Sequence, residues 1–249
     1  MRRRNDLSSL FTFGGRLPAT VGFLLVAMVV ASLWGFLSPT AVGAAALVPV
    51  QIWRGELWRL VTWPFFQPDP LTLLLAGFMI WTTGQQLSYA WSERRFAVRI
   101  LQYVLVAAVV STLAGAVWDR ASMIAHVGMW PVVDALFVVS AMMAADSQVS
   151  LFGVLPMTGR TFALLITGAT VLFAIAEFRH GLGPGPAAFI PHLAAIGLAW
   201  IHVRGITVGS GRTWRQAKRW WREREMRRRS RHLKVVRKNG SDGRSDWLN

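Results

Sequence analysis

The residues able to do chemistry are few in this chain of 249. Five histidines occur, at His126, His180, His192, His202 and His232, and none falls in an H-E-x-x-H or similar ligand spacing, so no metal and no cofactor is expected. Ser122 and His126, four apart, share a face if their stretch is helical, which sets a hydroxyl near a base but supplies no orienting acid. Glu177 and His180 stand three apart, with Arg179 between them, and read as an ion-pairing cluster near a helix end. The run Gly181-Leu182-Gly183-Pro184-Gly185-Pro186 is too rich in proline to offer the N–H donors of a phosphate loop and reads as a connector. Cysteine is absent, which excludes disulfides, thiolate metal sites and cysteine nucleophiles. Asp134 stands apart from all of these, with 13 uncharged residues before it and 11 after. An acid in so apolar a setting needs a partner or a proton, and inside a membrane it usually faces the bundle interior.

The elements that must position these residues are apolar helices. Hydrophobic residues make up 53% of the chain and charged ones only 16%, against about 25% charged in an ordinary soluble domain. Mean hydropathy is +0.40. No charge occurs in the 37 positions between Arg16 and Arg54, the 23 between Asp69 and Glu93, or the 19 between Arg99 and Asp119. Each gap is near or above the roughly 20 residues that cross a bilayer as helix. The pattern predicts an all-α membrane protein with six spans, near 18–38, 70–90, 97–118, 130–145, 161–177 and 187–204. Met1 to Arg4, Val21 to Val30 and Ala41 to Ala46 together have the layout of a cleavable signal peptide, but the apolar run from Leu17 to Leu37 is too long for its core.

Charge placement then sets the expected topology. Twenty-three of the 27 basic residues fall on the side that holds both termini, and Arg54, Arg59, Arg120 and Arg179 fall on the other. Basic residues stay cytoplasmic, so both termini are expected inside and the loop from 39 to 69 outside. That gives a cytoplasmic segment at 1–16, a six-helix membrane domain at 17–204 and a basic cytoplasmic tail at 205–249. The tail carries 15 basic and 4 acidic residues from Arg204 onward, so the formal charge of +15 belongs mostly to an appendage. Trp214, Lys218 and Trp221 follow a helical repeat beside Arg227, Arg228 and Arg229, which predicts an amphipathic helix on an anionic leaflet. Nucleic acid is the alternative partner for that arginine run, though no base-reading motif accompanies it. Residues 239–249 are expected to be disordered. In the outside loop, Trp58, Arg59 and Trp63 are expected at the membrane interface, with Arg59 stacking or bonding to headgroups or loop carbonyls.

The wording of that loop carries more than its composition. Trp53-Arg54-Gly55-Glu56-Leu57-Trp58-Arg59-Leu60-Val61-Thr62-Trp63-Pro64-Phe65 resembles the first-loop signature of the rhomboid superfamily. The likeness continues in order. Gly84 resembles the close of the family's second helix, and Glu93-Arg94-Arg95-Phe96 its basic turn before helix three. Gly128-Met129-Trp130-Pro131 stands where the proteases have G-x-S-G, Leu151 to Pro156 where they have a connector to helix five, and His192-Leu193-Ala194-Ala195 where they have H-L-G-G. The resemblance implies a rhomboid-like bundle, and it also shows what is missing. Trp130 replaces the serine nucleophile, Pro131 replaces the glycine, and Thr72 and Ala76 stand at the oxyanion positions of helix two, so only the base position His192 is kept. An indole is no acyl-transfer nucleophile, and proline removes an N–H where an oxyanion must be stabilised.

The resemblance therefore implies a pseudoprotease akin to inactive rhomboids and derlins, which binds transmembrane segments of client proteins. Asp134 lies one turn beyond Trp130 on one face of helix four, and in such a bundle that face looks toward His192. Trp130, Asp134 and His192 are then the candidate cavity or client-binding residues, with a purely structural buried pair as the alternative. An active protease with displaced chemistry is a competing expectation. Ser140 serves it poorly, because ten residues of helix put it about 15 Å from Trp130. A small transporter with Asp134 as coupling carboxyl is the third, and it lacks the internal repeats such folds display. The expected location is an integral, multi-pass membrane, the plasma membrane if the source is bacterial.

Overall fold

Each long charge-free stretch becomes helix, because a chain without water around it must satisfy its backbone internally. The computed structural model describes residues 17–151, 155–180 and 185–205, excepting the side chains of 149–151, 155–156 and 178–180. Ten helices follow one another among the described residues: α1 (Ala19–Leu37), α2 (Pro39–Ala45), α3 (Pro49–Trp53), α4 (Arg59–Thr62), α5 (Pro70–Trp91), α6 (Glu93–Val117), α7 (Asp119–Ser122), α8 (Trp130–Met143), α9 (Gly159–His180) and α10 (Ile190–Val203). Short 3-10 turns at Trp63–Phe65 and Gly185–Phe189 lead toward α5 and into α10. The fold is thus mostly helical. One departure from the all-α expectation is an antiparallel ribbon, β1 (Gln148–Leu151) and β2 (Leu155–Thr158), with Gln148 opposite Thr158, in the stretch read as a plain connector. The segment 1–16, the tail with Trp214, Lys218, Trp221, Arg227, Arg228 and Arg229, and His232 lie outside the described residues.

Among the described residues four helical stretches are long and apolar enough to cross a membrane: Ala19–Leu37, Glu93–Val117, Gly159–Glu177 and Gly185–Val203. α5 has the length, 22 residues, but its second half carries Thr82, Thr83, Gln85, Gln86 and Ser88. α8 is apolar but only 14 residues long, about 21 Å at 1.5 Å per residue.

Burial explains why α8 can be short. It is the central helix, packed against α10, α9, α5 and α6, with Val132, Val133, Ala135, Leu136, Val138 and Val139 all buried. The surrounding helices expose their large apolar side chains, among them Phe23, Val26 and Trp34 on α1, Leu71 and Leu74 on α5, and Leu172 and Phe173 on α9. An apolar belt of this extent faces lipid in a membrane protein and would drive aggregation in a soluble one. Between helices the contacts are small residues, such as Ala76, Ala107, Ala108, Ala195 and Ala199, which let backbones approach closely. Gly84 belongs to this set. It lies inside α5 rather than at its end, and a methyl group there would come within 3.0 Å of Val21 and 3.3 Å of Phe96.

Polar ties across the bundle are few and specific. Trp200 Nε1 donates to Thr167 Oγ1 at 3.1 Å, joining α10 to α9, and Tyr103 Oη lies 3.0 Å from His202 Nδ1, joining α6 to α10. At the head of α5, Asp69 accepts from the Thr72 amide at 2.8 Å and from the Thr72 hydroxyl, forming an N-cap, while Pro70 takes the first helical position. These bonds hold the Asp69 carboxyl below its ordinary range.

Candidate functional site

The first loop is held by its own arginine. Arg59, 6% exposed, donates through Nη1 to the carbonyls of Gly43 (2.6 Å) and Ala46 (2.7 Å) and through Nε to Glu56 Oε2 (2.7 Å). A second guanidinium nitrogen, Nη2, lies 2.6 Å from the same Glu56 oxygen. Thr62 Oγ1 donates to Ala45 O at 2.9 Å and Trp58 Nε1 to Ala44 O at 3.1 Å, so four consecutive carbonyls at the end of α2 each receive a side-chain donor. Loop carbonyls, one of the partners expected for Arg59, are bonded to it here. Trp58 stays 55% exposed. Trp63, in the Trp63–Phe65 turn, is fully buried in the protein core and so presents no ring to lipid.

From Trp63 the loop reaches the head of α8. The Gly128 amide donates to Trp63 O at 3.1 Å, and the Met129 amide donates to the buried Gln67 side chain at 3.4 Å. Gln67 in turn donates to Pro64 O at 2.9 Å, while its own amide donates to Ser32 Oγ at 3.0 Å. Gly128 has a φ of +99°, a conformation in which any side chain is strained. The turn before α8 is therefore fixed by a glutamine 62 residues earlier in the chain.

Above this turn lies a cavity of about 480 Å³, lined by Trp63, Met123, Ile124, Ala125, His126, Val127, Pro131, Ala188, Pro191 and His192. His192, near the start of α10, is hydrogen-bonded through Nδ1 to Asp134 Oδ2 at 2.6 Å, and both side chains are partly buried. A carboxylate on Nδ1 orients the ring and leaves Nε2 as the basic nitrogen. His126 is held by paired backbone bonds to Leu47, each 2.9 Å. Burial pushes its imidazole down to about 4, and the charge of His192 pushes it the same way, so it is neutral at pH 7. The lining thus offers two imidazoles in an otherwise apolar wall, and none of the lining residues carries a hydroxyl.

The sequence-predicted residues divide accordingly. His192 and Pro131 line the cavity, and Asp134 stands behind His192 as its partner. Trp130 opens α8 and packs against the core without lining the cavity. Ala76 is buried in the core, and Thr72 is occupied at the α5 cap, so neither reaches the cavity. The Ser122–His126 pairing fails because α7 ends at Ser122; the Ser122 hydroxyl donates to Asp119 O at 2.6 Å instead. Ser140 Oγ is buried with no partner among the described residues and lies away from the cavity. Among the described residues no cluster of His, Asp and Glu could hold a metal ion. Sequence reasoning missed Gln67 and undervalued His126.

A family model described as "Eukaryotic integral membrane protein (DUF1751)" matches residues 22–204. The chain belongs to that family. No curated protein matches it. The match takes in the Arg59 loop, the Gln67 brace, the cavity and the Asp134–His192 pair, so the site belongs to the part of the chain that this integral membrane protein family shares. The family's description speaks of eukaryotic proteins and gives a bacterial plasma membrane no support.

Proposed function

We propose that this protein is a catalytically inactive, rhomboid-like membrane protein whose cavity receives transmembrane segments of client proteins. In this reading α1, α5, α6, α8, α9 and α10 are the six spans, both termini are cytoplasmic, and the basic tail docks on anionic lipid of the inner leaflet. The observation that carries it is the state of the α8 head beside the cavity. Acyl transfer needs a nucleophile and N–H donors for the oxyanion. Here Trp130 and Pro131 occupy those positions, the Gly128 and Met129 amides already donate elsewhere, and proline has no N–H. His192 keeps its carboxylate partner but meets no hydroxyl on the cavity wall. What remains is a recess with apolar walls and two imidazoles, suited to hold the end of a helix whose last carbonyls lack partners.

A photocrosslinking amino acid at Met123 tests this. Met123 lines the cavity yet is 70% exposed, so replacing it should not disturb the core. Co-reconstitution with a tagged single-span helix should give an adduct that an untagged competitor suppresses. Failure to crosslink any of a panel of single-span helices, with an intact protein, would overturn the client-binding reading.

A further inference from the structure

The opposite end of the bundle holds a second pocket that the client-binding reading does not use. About 270 Å³ in volume, it is lined by Trp91, Arg99, Val139, Met142, Met143, His202 and Val203, where α5, α8 and α10 end and α6 begins. Arg99 is half-buried, its Nη1 is fully buried, and that nitrogen has no hydrogen-bond partner among the described residues. None of the ion pairs among those residues includes Arg99. The guanidinium stacks near the ring of Trp91, 5.7 Å from Cζ to the centroid.

His202 repeats the pattern. Nδ1 lies 3.0 Å from the Tyr103 hydroxyl, while Nε2 is buried without a partner. When the Tyr103 hydroxyl donates to Nδ1, the proton of the neutral ring sits on Nε2 and makes it a donor. A guanidinium and an N–H donor, both unpaired beside one cavity, call for an acceptor, and the guanidinium calls for a negative one. Arg94 and Arg95, exposed in the first turn of α6, add positive charge to the same end of that helix. Basic pockets between helix ends are a recurrent way to hold phosphate headgroups.

We propose that this pocket binds a phosphate-bearing anion, with Arg99 and His202 Nε2 as its donors and the Trp91 ring as its wall. The phosphate of an anionic lipid and free phosphate share this chemistry, and the test separates them. Delipidated full-length protein in detergent is titrated with phosphatidylglycerol, phosphatidylcholine or inorganic phosphate, and bound adducts are counted by native mass spectrometry. One phosphatidylglycerol should bind at least about tenfold tighter than phosphatidylcholine. Arg99→Gln should lower that affinity about tenfold, whereas Arg120→Gln, an exposed position beyond the far end of α6, should change it less than about twofold. Met143→Trp, which fills the cavity from a position 52% exposed, should lower it about as much as Arg99→Gln and keeps the test open if that variant does not fold. Displacement by millimolar inorganic phosphate would make the occupant a free anion; no displacement would make it a lipid. Unchanged phosphatidylglycerol binding in Met143→Trp or in folded Arg99→Gln, or equal binding of the two lipids, would overturn the site.

Discussion

The first loop and the head of α8 touch through Trp63 and Gly128, yet they use their polar groups in opposite ways. In the loop, Trp58, Arg59 and Thr62 spend their donors on the carbonyls of Gly43, Ala44, Ala45 and Ala46. At the head of α8, Trp130 brings no nucleophile and Pro131 no amide, and the flanking amides are committed to Trp63 and Gln67. The loop gives the cavity one wall residue, Trp63, and holds another, His126, through the Leu47 backbone, while the α8 head is what would have to react inside it. On the proposed reading this difference suits a binding site, since binding a helix end needs a recess and a few polar contacts but no stabilised transition state.

The contrast can be broken most severely at Arg59. Arg59→Ala leaves two carbonyls and Glu56 without their donor, and should destabilise the protein by about 3–5 kcal/mol. Arg59→Lys should recover part of that, both read from unfolding in detergent micelles. Unchanged stability in Arg59→Ala would mean the loop does not depend on its arginine.

Next in size is the pH response of the cavity wall. His126 titrates near 4 in the folded protein against 6.5 for an unperturbed imidazole, so the unfolded chain takes up a proton first as pH falls. Its contribution is complete above about pH 6.5 and is lost progressively down to about pH 4, roughly 3 kcal/mol in all. His126→Gln should flatten stability over that window, and a variant whose pH profile equals the wild type's would contradict the assignment.

The Asp134–His192 bond should come third. Asp134→Ala leaves the imidazole unpaired at a cost of about 2 kcal/mol. A double-mutant cycle with His192→Ala should return a coupling of about 1–3 kcal/mol, and one near zero would show the two groups acting apart. Trp58→Phe should matter least, about 0.5–1 kcal/mol, because it removes one bond from a half-exposed ring; a loss as large as that of Arg59→Ala would contradict the ranking.

The helices were legible because charge is costly in lipid, and the charge-free gaps mark α1, α5 and α6 to within a few residues. α8 was harder, since Asp134 interrupts its hydropathy, and the pairing with His192 across 58 residues followed from the family resemblance rather than from spacing. The burial of Trp63 was not legible, because an aromatic in a proline-rich loop reads the same whether its ring meets protein or lipid. Gln67 and His126 were hidden for a different reason. Each acts through a bond to a distant backbone segment, Met129 for one and Leu47 for the other, and no local pattern marks a side chain or amide whose partner lies so far along the chain. The ribbon at 148–158 was missed because its strands are only four residues each.

The central claim is tested most directly by in-membrane cleavage. Purified protein in liposomes is given a tagged single-span helix, and wild type is compared with His192→Ala and with Trp130→Ser plus Pro131→Gly. The account predicts that wild type leaves the helix intact while retaining it through affinity purification. Cleavage by wild type that disappears in His192→Ala would contradict it and would mean that a nucleophile outside the α8 head serves the same base.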